Sequence, residues 1–555
     1  MKIKSDPSKI ILILLTLAAG VKMICCGWII DEGYAFAIGN RLLEGDKLFA
    51  DLWELHQTSG YAVCFFLGIY RFLTHTPEGE IIFVRACGMA IHMLVSYAVF
   101  RALSQHMSGE KAFLCAILYA NLTPKQLSTP EFSNLFNWTS TVTVILADRL
   151  RMLDETSKRS EKYVYRILTG IFLSACVVSY PQSIVFAIFI LAFLLLSGKE
   201  RKKNFIAVFL VCVLLACVFV AYILSCIPLR DLLPTISNML EVDATHTEGM
   251  YKIVGYLRDL GITAVFSALI GTASCLTARA VGNKRFTILF SLIYVHIWKL
   301  IHFLFRIEAY SVEYTFGGIL FVIVIGMIAI SMDRSVIAGD DKREVFILFG
   351  GGGLAVFTTV LIACDQSVFS SAKYLSLTLI AIMVVLMKLS DRKEKHLITV
   401  AILMMALVNI VQLNNPRNAL LNITDADARV PAGPQKGLIM ERMYANKARI
   451  DWEELPAVLD GAEFVMITGD AVTYLYTDAR IGNGSTIMTE DYGERFGLYW
   501  EVYPEKKPDI IAIECYNGTL DYRVEMSWLY EYATGEFGAD EVKDTTYYRL
   551  YIRNR

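Results

Sequence analysis

Two carboxylates stand side by side where the first apolar run of the sequence ends, in Asp31-Glu32-Gly33-Tyr34. At a membrane boundary water is within reach, so both keep their charge at little cost and can take up a proton or hold a metal ion. Ordinary interfacial polar residues would look the same. The chain that follows argues for more, because a polar run from Gly39 to Asp51 leads into Trp53-Glu54-Leu55-His56-Gln57-Thr58, and a long ordered loop is seldom idle. A further carboxylate, Glu131, sits in Ser128-Thr129-Pro130-Glu131-Phe132-Ser133-Asn134. Pro130 opens a helix there, so Glu131 either caps its positive end or does chemistry, while Asn134 and Asn137 lie one helical turn apart. Cations form the second group. His296, Lys299 and His302 follow helical spacing and lead to Arg306, Glu308, Tyr310, Glu313 and Tyr314. A Lys inside a span costs about 2.5–3.5 kcal/mol, so Lys299 either snorkels to the interface or, with Arg306, meets an anion such as a phosphate. Arg85 and Lys373 are weaker contacts of the same kind.

The elements that must position these residues are membrane helices. Of 555 residues, 55% are hydrophobic and 19% charged, against roughly 45–50% and 25% in globular domains. The net charge of −2 gives no long-range attraction to nucleic acid. About thirteen apolar runs long enough to cross a bilayer lie between residues 10 and 413, the shortest being 132–147, 164–180 and 183–197. Lys2, Lys4 and Lys9 precede the first run, but no small-residue cleavage site follows it, so it reads as a retained helix. Loop charges orient the chain. Clusters such as Arg149 to Lys162, Lys199 to Lys203 and Arg392 to Lys395 fall in alternate loops, which places the N-terminus in the cytoplasm and the C-terminal part outside.

Two loops on the outer side are long, 31–79 and 228–258. In the first, 34–44 and 58–73 have helical patterns, the second too short to count as a span and better suited to the interface. After Val411 the composition changes: residues 414–555 carry a helix from Gly437 to about Leu459 and strands at 463–468, 509–514 and 547–552, a small α/β domain. Gly482-Asn483-Gly484-Ser485 reads as a turn. Most of the 12 cysteines lie in apolar runs as packing residues, and no CxxC pair occurs.

The Asp-Glu pair after the first helix, the stretch RLLEGDKLFADLWELHQTSGY, the apolar helix behind it and Arg85 at the head of the next span resemble the GT-C superfamily of membrane glycosyltransferases. The branch most similar includes the protein O-mannosyltransferases and the lipid A aminoarabinose transferase. The resemblance covers residues 1–413; where family members often have Pro after the His56 stretch, this chain has Gln57-Thr58. It implies transfer of a sugar from a polyprenyl-phosphate carrier to a cell-envelope acceptor at the outer membrane face. It also implies Asp31 as catalytic carboxylate, with Glu32 in a supporting or metal-binding role and Glu131 as a second acid. Tyr34, His56, Gln57, Arg85, Asn134, Lys299, His302, Arg306, Tyr310 and Lys373 are the expected substrate contacts. A divalent metal ion is a possible cofactor, although His296 and His302 form no metal-binding motif.

The expectation is therefore a mainly α, multi-pass membrane protein with a GT-C-like catalytic domain (1–413), an extracytoplasmic C-terminal α/β domain (414–555) and glycosyltransferase activity. A lipid-linked oligosaccharide flippase or transporter would need two matching halves with broken helices; Pro181 and Gly350 to Gly353 interrupt helices, but no internal repeat is visible. A surface-polysaccharide polymerase or ligase shares the chemistry without the acidic pair, and an assembly scaffold would need neither.

Overall fold

The computed structural model describes residues 7–553 apart from 55, 125–126, 155, 243–248, 306–311, 364–366, 388–391, 415–419, 487–494 and 517. Helices dominate up to Val411. They run α1 (Pro7–Cys25), α2 (Ile30–Leu43), α3 (Gly60–Thr74), α4 (Glu80–Leu103), α5 (Gly109–Ala120), α6 (Phe132–Met152), α7 (Arg159–Ser179), α8 (Ile184–Leu196) and α9 (Arg201–Cys226). There follow α10 (Leu229–Val242), α11 (Gly249–Ala280), α12 (Thr287–Leu304), α13 (Val312–Met332), α14 (Asp340–Val345), α15 (Gly351–Ala363), α16 (Val368–Ser371), α17 (Ser376–Leu386) and α18 (Arg392–Val411). Each of the thirteen apolar runs overlaps one of these helices. Among the described residues, eight helices are long and apolar enough to cross a membrane, or nine if the pair α16–α17, bent by 65°, is one span. Three of the helices that fall short do so for physical reasons. α5 and α8 have 12 and 13 residues, about 20 Å of helix against a bilayer core of about 30 Å. α6 is long enough, but Ser, Thr and Asn fill its first half and Asp148, Arg149 and Arg151 its last turn.

The expected loop 228–258 is largely helical instead. α10 is amphipathic, and α11 begins at Gly249, about ten residues before the expected span. Its Asp243, His246 and Glu248 lie outside the described residues. α3, at 15 residues, is too short to cross alone and leaves Phe65, Phe72 and Leu73 exposed on one side.

Two small hairpins follow α18, β1 (Gln412–Asn414) with β2 (Leu420–Asn422) and β3 (Ala428–Arg429) with β4 (Ile439–Met440). Beyond α19 (Arg442–Leu459) comes a mixed sheet of β5 (Phe464–Ile467), β6 (Arg480–Ile481), β7 (Ile510–Tyr516), β8 (Thr519–Leu520), β9 (Glu541–Asp544) and β10 (Tyr548–Ile552). Its order is β6-β5-β7-β10-β9, with β5 parallel to both neighbours, β10 antiparallel to β7 and β9, and β8 paired to β7. A short 3-10 helix, Ala471–Tyr476, follows β5.

This C-terminal part shares its core with the start of the chain. Trp28, Phe36, Val63, Leu67, Ile81 and Val84 pack in one cluster with Leu455, Val465, Tyr474 and Leu550, and Trp53 packs with Tyr499, Trp500 and Ile511. The separate and largest core holds the remaining helices together. Two contacts fix which bundle end carries the domain. Cys26, just past α1, bridges to Ile439, and the Asn422 amide donates to the Phe303 carbonyl in the last turn of α12 (3.2 Å).

Candidate active site

The turn between α1 and α2 decides where the acidic pair goes. Gly27 has φ +76°, a conformation open to glycine, and a Cβ there would strike the Asn414 carbonyl. Its N–H donates to the Ile439 carbonyl (2.9 Å), so the turn is stitched to the C-terminal domain. α2 then starts at Ile30 with Asp31 and Glu32 in its first turn, where the helix dipole favours negative charge.

Neighbours in a helix point about 100° apart, and the two carboxylates part company. Glu32 is 1% exposed and forms a two-bonded ion pair with Arg85, Nε to Oε1 at 2.7 Å and Nη2 to Oε2 at 2.5 Å, while Thr129 donates to Oε1. Arg85, 0% exposed, gives its other N–H groups to the carbonyls of Gly27 (3.0 Å) and Ile24 (3.3 Å). Glu32 and Arg85, expected as catalytic support and ligand contact, are thus bound to each other and to this turn. Asp31 stays half-buried, as does Tyr34 one turn on, at the edge of the core shared with the C-terminal domain.

Other expected site residues serve the frame. Glu131 is the N-cap of α6, accepting from the backbone N–H groups of Ser133 and Asn134 (both 3.0 Å), the alternative its position after Pro130 had left open. The Asn134 amide donates to the carbonyls of Leu127 (3.1 Å) and Thr129 (2.8 Å), tying down the preceding loop. His56 stacks on Phe132 at 3.9 Å and beside Tyr180 at 5.4 Å. Gln57 accepts from the Phe49 N–H (2.8 Å). His302 is half-buried, with its ring edge-on to Phe303. Arg306 and Tyr310 lie outside the described residues.

The structure brings Lys299 and Lys373 together. Both line one small cavity of about 40 Å³ with His296, Asn121, Thr123 and Asn409, and among the described residues its lining holds no carboxylate. Lys299 is 7% exposed. Gly318 of α13 makes room for it, because a Cβ there would crowd the Lys299 chain and Val295. The polar frame is cross-linked: Asn409 donates to the Asn121 carbonyl (2.8 Å), Asn121 to Thr16 (2.9 Å), and His296 pairs with the Leu292 carbonyl (2.7 Å). The cavity is lined by the segment after α5, the second half of α12, the C-terminal part of α18, Ile319 of α13 and Lys373 before α17, at the bundle end that carries α2 and the C-terminal domain. No group of three His, Cys, Asp or Glu suited to a metal ion occurs among the described residues.

Sequence reasoning passed over three groups. Lys22, one turn before Cys26, is 7% exposed inside α1, and a lone lysine in an apolar run was its signal. Arg41, 0% exposed, donates to Asp46 (2.8 Å) and to the carbonyls of Asn483 (2.9 Å) and Asp51 (2.6 Å). The turn at Gly482 to Ser485 is therefore the socket for the first loop. The third is Asp470, which accepts from the Trp28 indole.

Residues 49–227, about a third of the chain, match the model of the Alg9-like mannosyltransferase family. That segment is of the GT-C glycosyltransferase kind. The chain is accordingly a glycosyltransferase and a multi-pass membrane protein. The GT-C match holds His56, Gln57, Arg85, Glu131 and Asn134; Asp31 precedes it and Lys299 follows it. No curated protein matches. Among solved structures, the Archaeoglobus fulgidus oligosaccharyltransferase tethered to an acceptor peptide is similar with TM-score 0.48 and 12% identity, over 92% of this chain and 69% of that one. ArnT from Cupriavidus metallidurans in the apo state gives TM-score 0.43 and 8% identity, over 98% and 96%.

Proposed function

We propose that the protein transfers a sugar from a polyprenyl-phosphate donor to a cell-envelope acceptor, with Asp31 as general base. In this reading the N-terminus is cytoplasmic, an odd number of crossings brings the C-terminal domain to the outer face, and the reaction takes place there beneath it. The observation that carries it is the pair of cations, Lys299 and Lys373, lining one cavity at the bundle end where Asp31 emerges.

The chemistry follows from the groups. An acceptor hydroxyl attacks the anomeric carbon while Asp31 takes its proton. The bond from that carbon to the phosphate oxygen breaks, and polyprenyl phosphate leaves with the electron pair. A phosphate leaving group needs no strong acid; fixed cations stabilise the charge it gains. Lys299 and Lys373 supply that charge. The cavity is too small for a sugar, so the donor phosphate sits at its mouth and water fills the rest.

The matched family makes a polyprenyl-phosphate mannose the first donor to try. In lipid nanodiscs, Lys299→Met should raise the KM for this donor about tenfold or more, Lys373→Met should do likewise, and neither should change the fold. A donor KM equal to wild type in both variants would remove the phosphate assignment.

A further inference from the structure

A general base must be held still, yet the helix that carries Asp31 has no side-chain cap of its own, because its N-cap is Ile29. The restraint comes from a residue more than 400 positions away. Asp470 follows β5 through Thr468 and Gly469. Its Oδ1 accepts from the Val472 N–H (3.1 Å) and starts the 3-10 helix Ala471–Tyr476, and its Oδ2 accepts from the Trp28 indole N–H. The same carboxylate lies against Gly33, where a Cβ would run into Oδ1, so only glycine lets the two segments close. Trp28 is 1% exposed, stacked beside Phe36 and under the Arg85 guanidinium that binds Glu32. Trp28 and Gly33 thus bracket Asp31 on either side, and both rest on Asp470.

We propose that Asp470 is a positioning residue for the transfer reaction: bonded to Trp28 and lodged against Gly33, it fixes the turn that presents Asp31. This rests on Asp31 being the base. Asp470 touches no reacting atom; it acts through the turn.

The charged surroundings make the tie sensitive to pH. Lys447 and Asp451 face it from α19, Glu514 from β7 and Tyr476 from its own 3-10 helix; Tyr548 of β10 bonds Lys447, and Asp31, Glu32 and Arg85 belong to the turn below. Lys447 is a cation acting on it, but it is shared with Asp451 (2.6 Å) and Glu514 (3.3 Å). Burial therefore prevails and pushes the Asp470 carboxyl up to about 7. The ionised form accepts both bonds at once, whereas protonation turns one oxygen into a donor and loosens the Trp28 link. Asp451, raised to about 6 by burial, titrates close by, so only a limb that Asp470→Asn removes belongs to Asp470.

The test has a spectroscopic arm and a kinetic arm, both on the full chain. In ¹⁵N-tryptophan-labelled protein, the Trp28 indole signal, assigned with Trp28→Phe, should shift with a midpoint near pH 7, and Asp470→Asn should abolish that shift. With a polyprenyl-phosphate mannose as probe, Asp470→Asn should lower kcat on the order of tenfold or more, with donor KM within about twofold of wild type. Adding Trp28→Phe should cost little further, since both changes cut one link. A Trp28 signal that does not titrate, or a wild-type kcat in Asp470→Asn, overturns the proposal. Failure of the base assignment reads differently: Asp31→Asn would then keep its activity while the indole titration stood unchanged.

Discussion

Asp31 and Glu32 are chemically almost the same and adjacent, and what separates them is Arg85, 53 residues downstream in α4. Glu32 meets a guanidinium in a site closed to water, so the pair is locked; Asp31, turned about 100° away, keeps a part-exposed carboxylate. Removing one partner of a buried ion pair strands the other charge, which costs about 3–5 kcal/mol. Arg85→Ala should therefore cut stability by that order, read as a lower denaturant midpoint, and Arg85→Lys should not rescue it because an ammonium cannot make the two-bonded contact. The acidic pair was visible in the sequence as a feature. Its division of labour was not, because burial depends on a partner that local spacing does not reveal. Lys299 was legible as an expensive cation within an apolar run, whereas Lys373 gained meaning only when folding placed it across the same cavity.

At the scale of elements, the helices were legible because apolar runs and Pro or charge boundaries mark them. The strands at 464–467, 510–516 and 548–552 fall on the strand-like runs expected at 463–468, 509–514 and 547–552. Short or polar helices escaped the span count, since α5, α6 and α8 complete their burial through neighbours. A network at the bundle end away from the C-terminal domain shows how such elements are tied. His106, in the loop after α4, bonds Asp148 of α6 (2.6 Å) and Asp341 of α14 (3.0 Å), and Arg151 bonds Asp148, Asp341 and Glu344. Burial opposes charge on His106, but the Asp148 and Asp341 carboxylates outweigh it and hold the imidazole above its ordinary value. A raised histidine stabilises the fold fully below the ordinary range near 6.5, and that contribution is lost as pH rises through the raised value. Thermal stability should fall across that window, and His106→Gln should flatten the fall. An equal pH dependence in the variant would show that His106 is not its source.

Across the whole molecule, the C-terminal domain serves as a clamp on the first loop. Arg41, Trp53, Glu54 and Trp28 all reach into it, and Glu54 accepts from both the N–H and hydroxyl of Thr486 (2.7 Å each). Burial and two carboxylates work on Arg41 from opposite sides, and Asp46 with Glu54 keeps it firmly charged. Arg41→Leu should loosen loop and domain together, which faster protease cleavage at 44–59 in otherwise inserted protein would report. That coupling was illegible from the sequence, because it joins residues more than 400 apart through turns whose composition looked like ordinary loop. The central claim, that Asp31 is the base beneath this clamp, is tested most directly by single-turnover transfer from a polyprenyl-phosphate mannose in nanodiscs, comparing wild type with Asp31→Asn. Loss of a general base predicts a rate lower by about 10²–10⁴-fold with donor affinity retained; a folded, inserted Asp31→Asn protein that transfers sugar at the wild-type rate would contradict it.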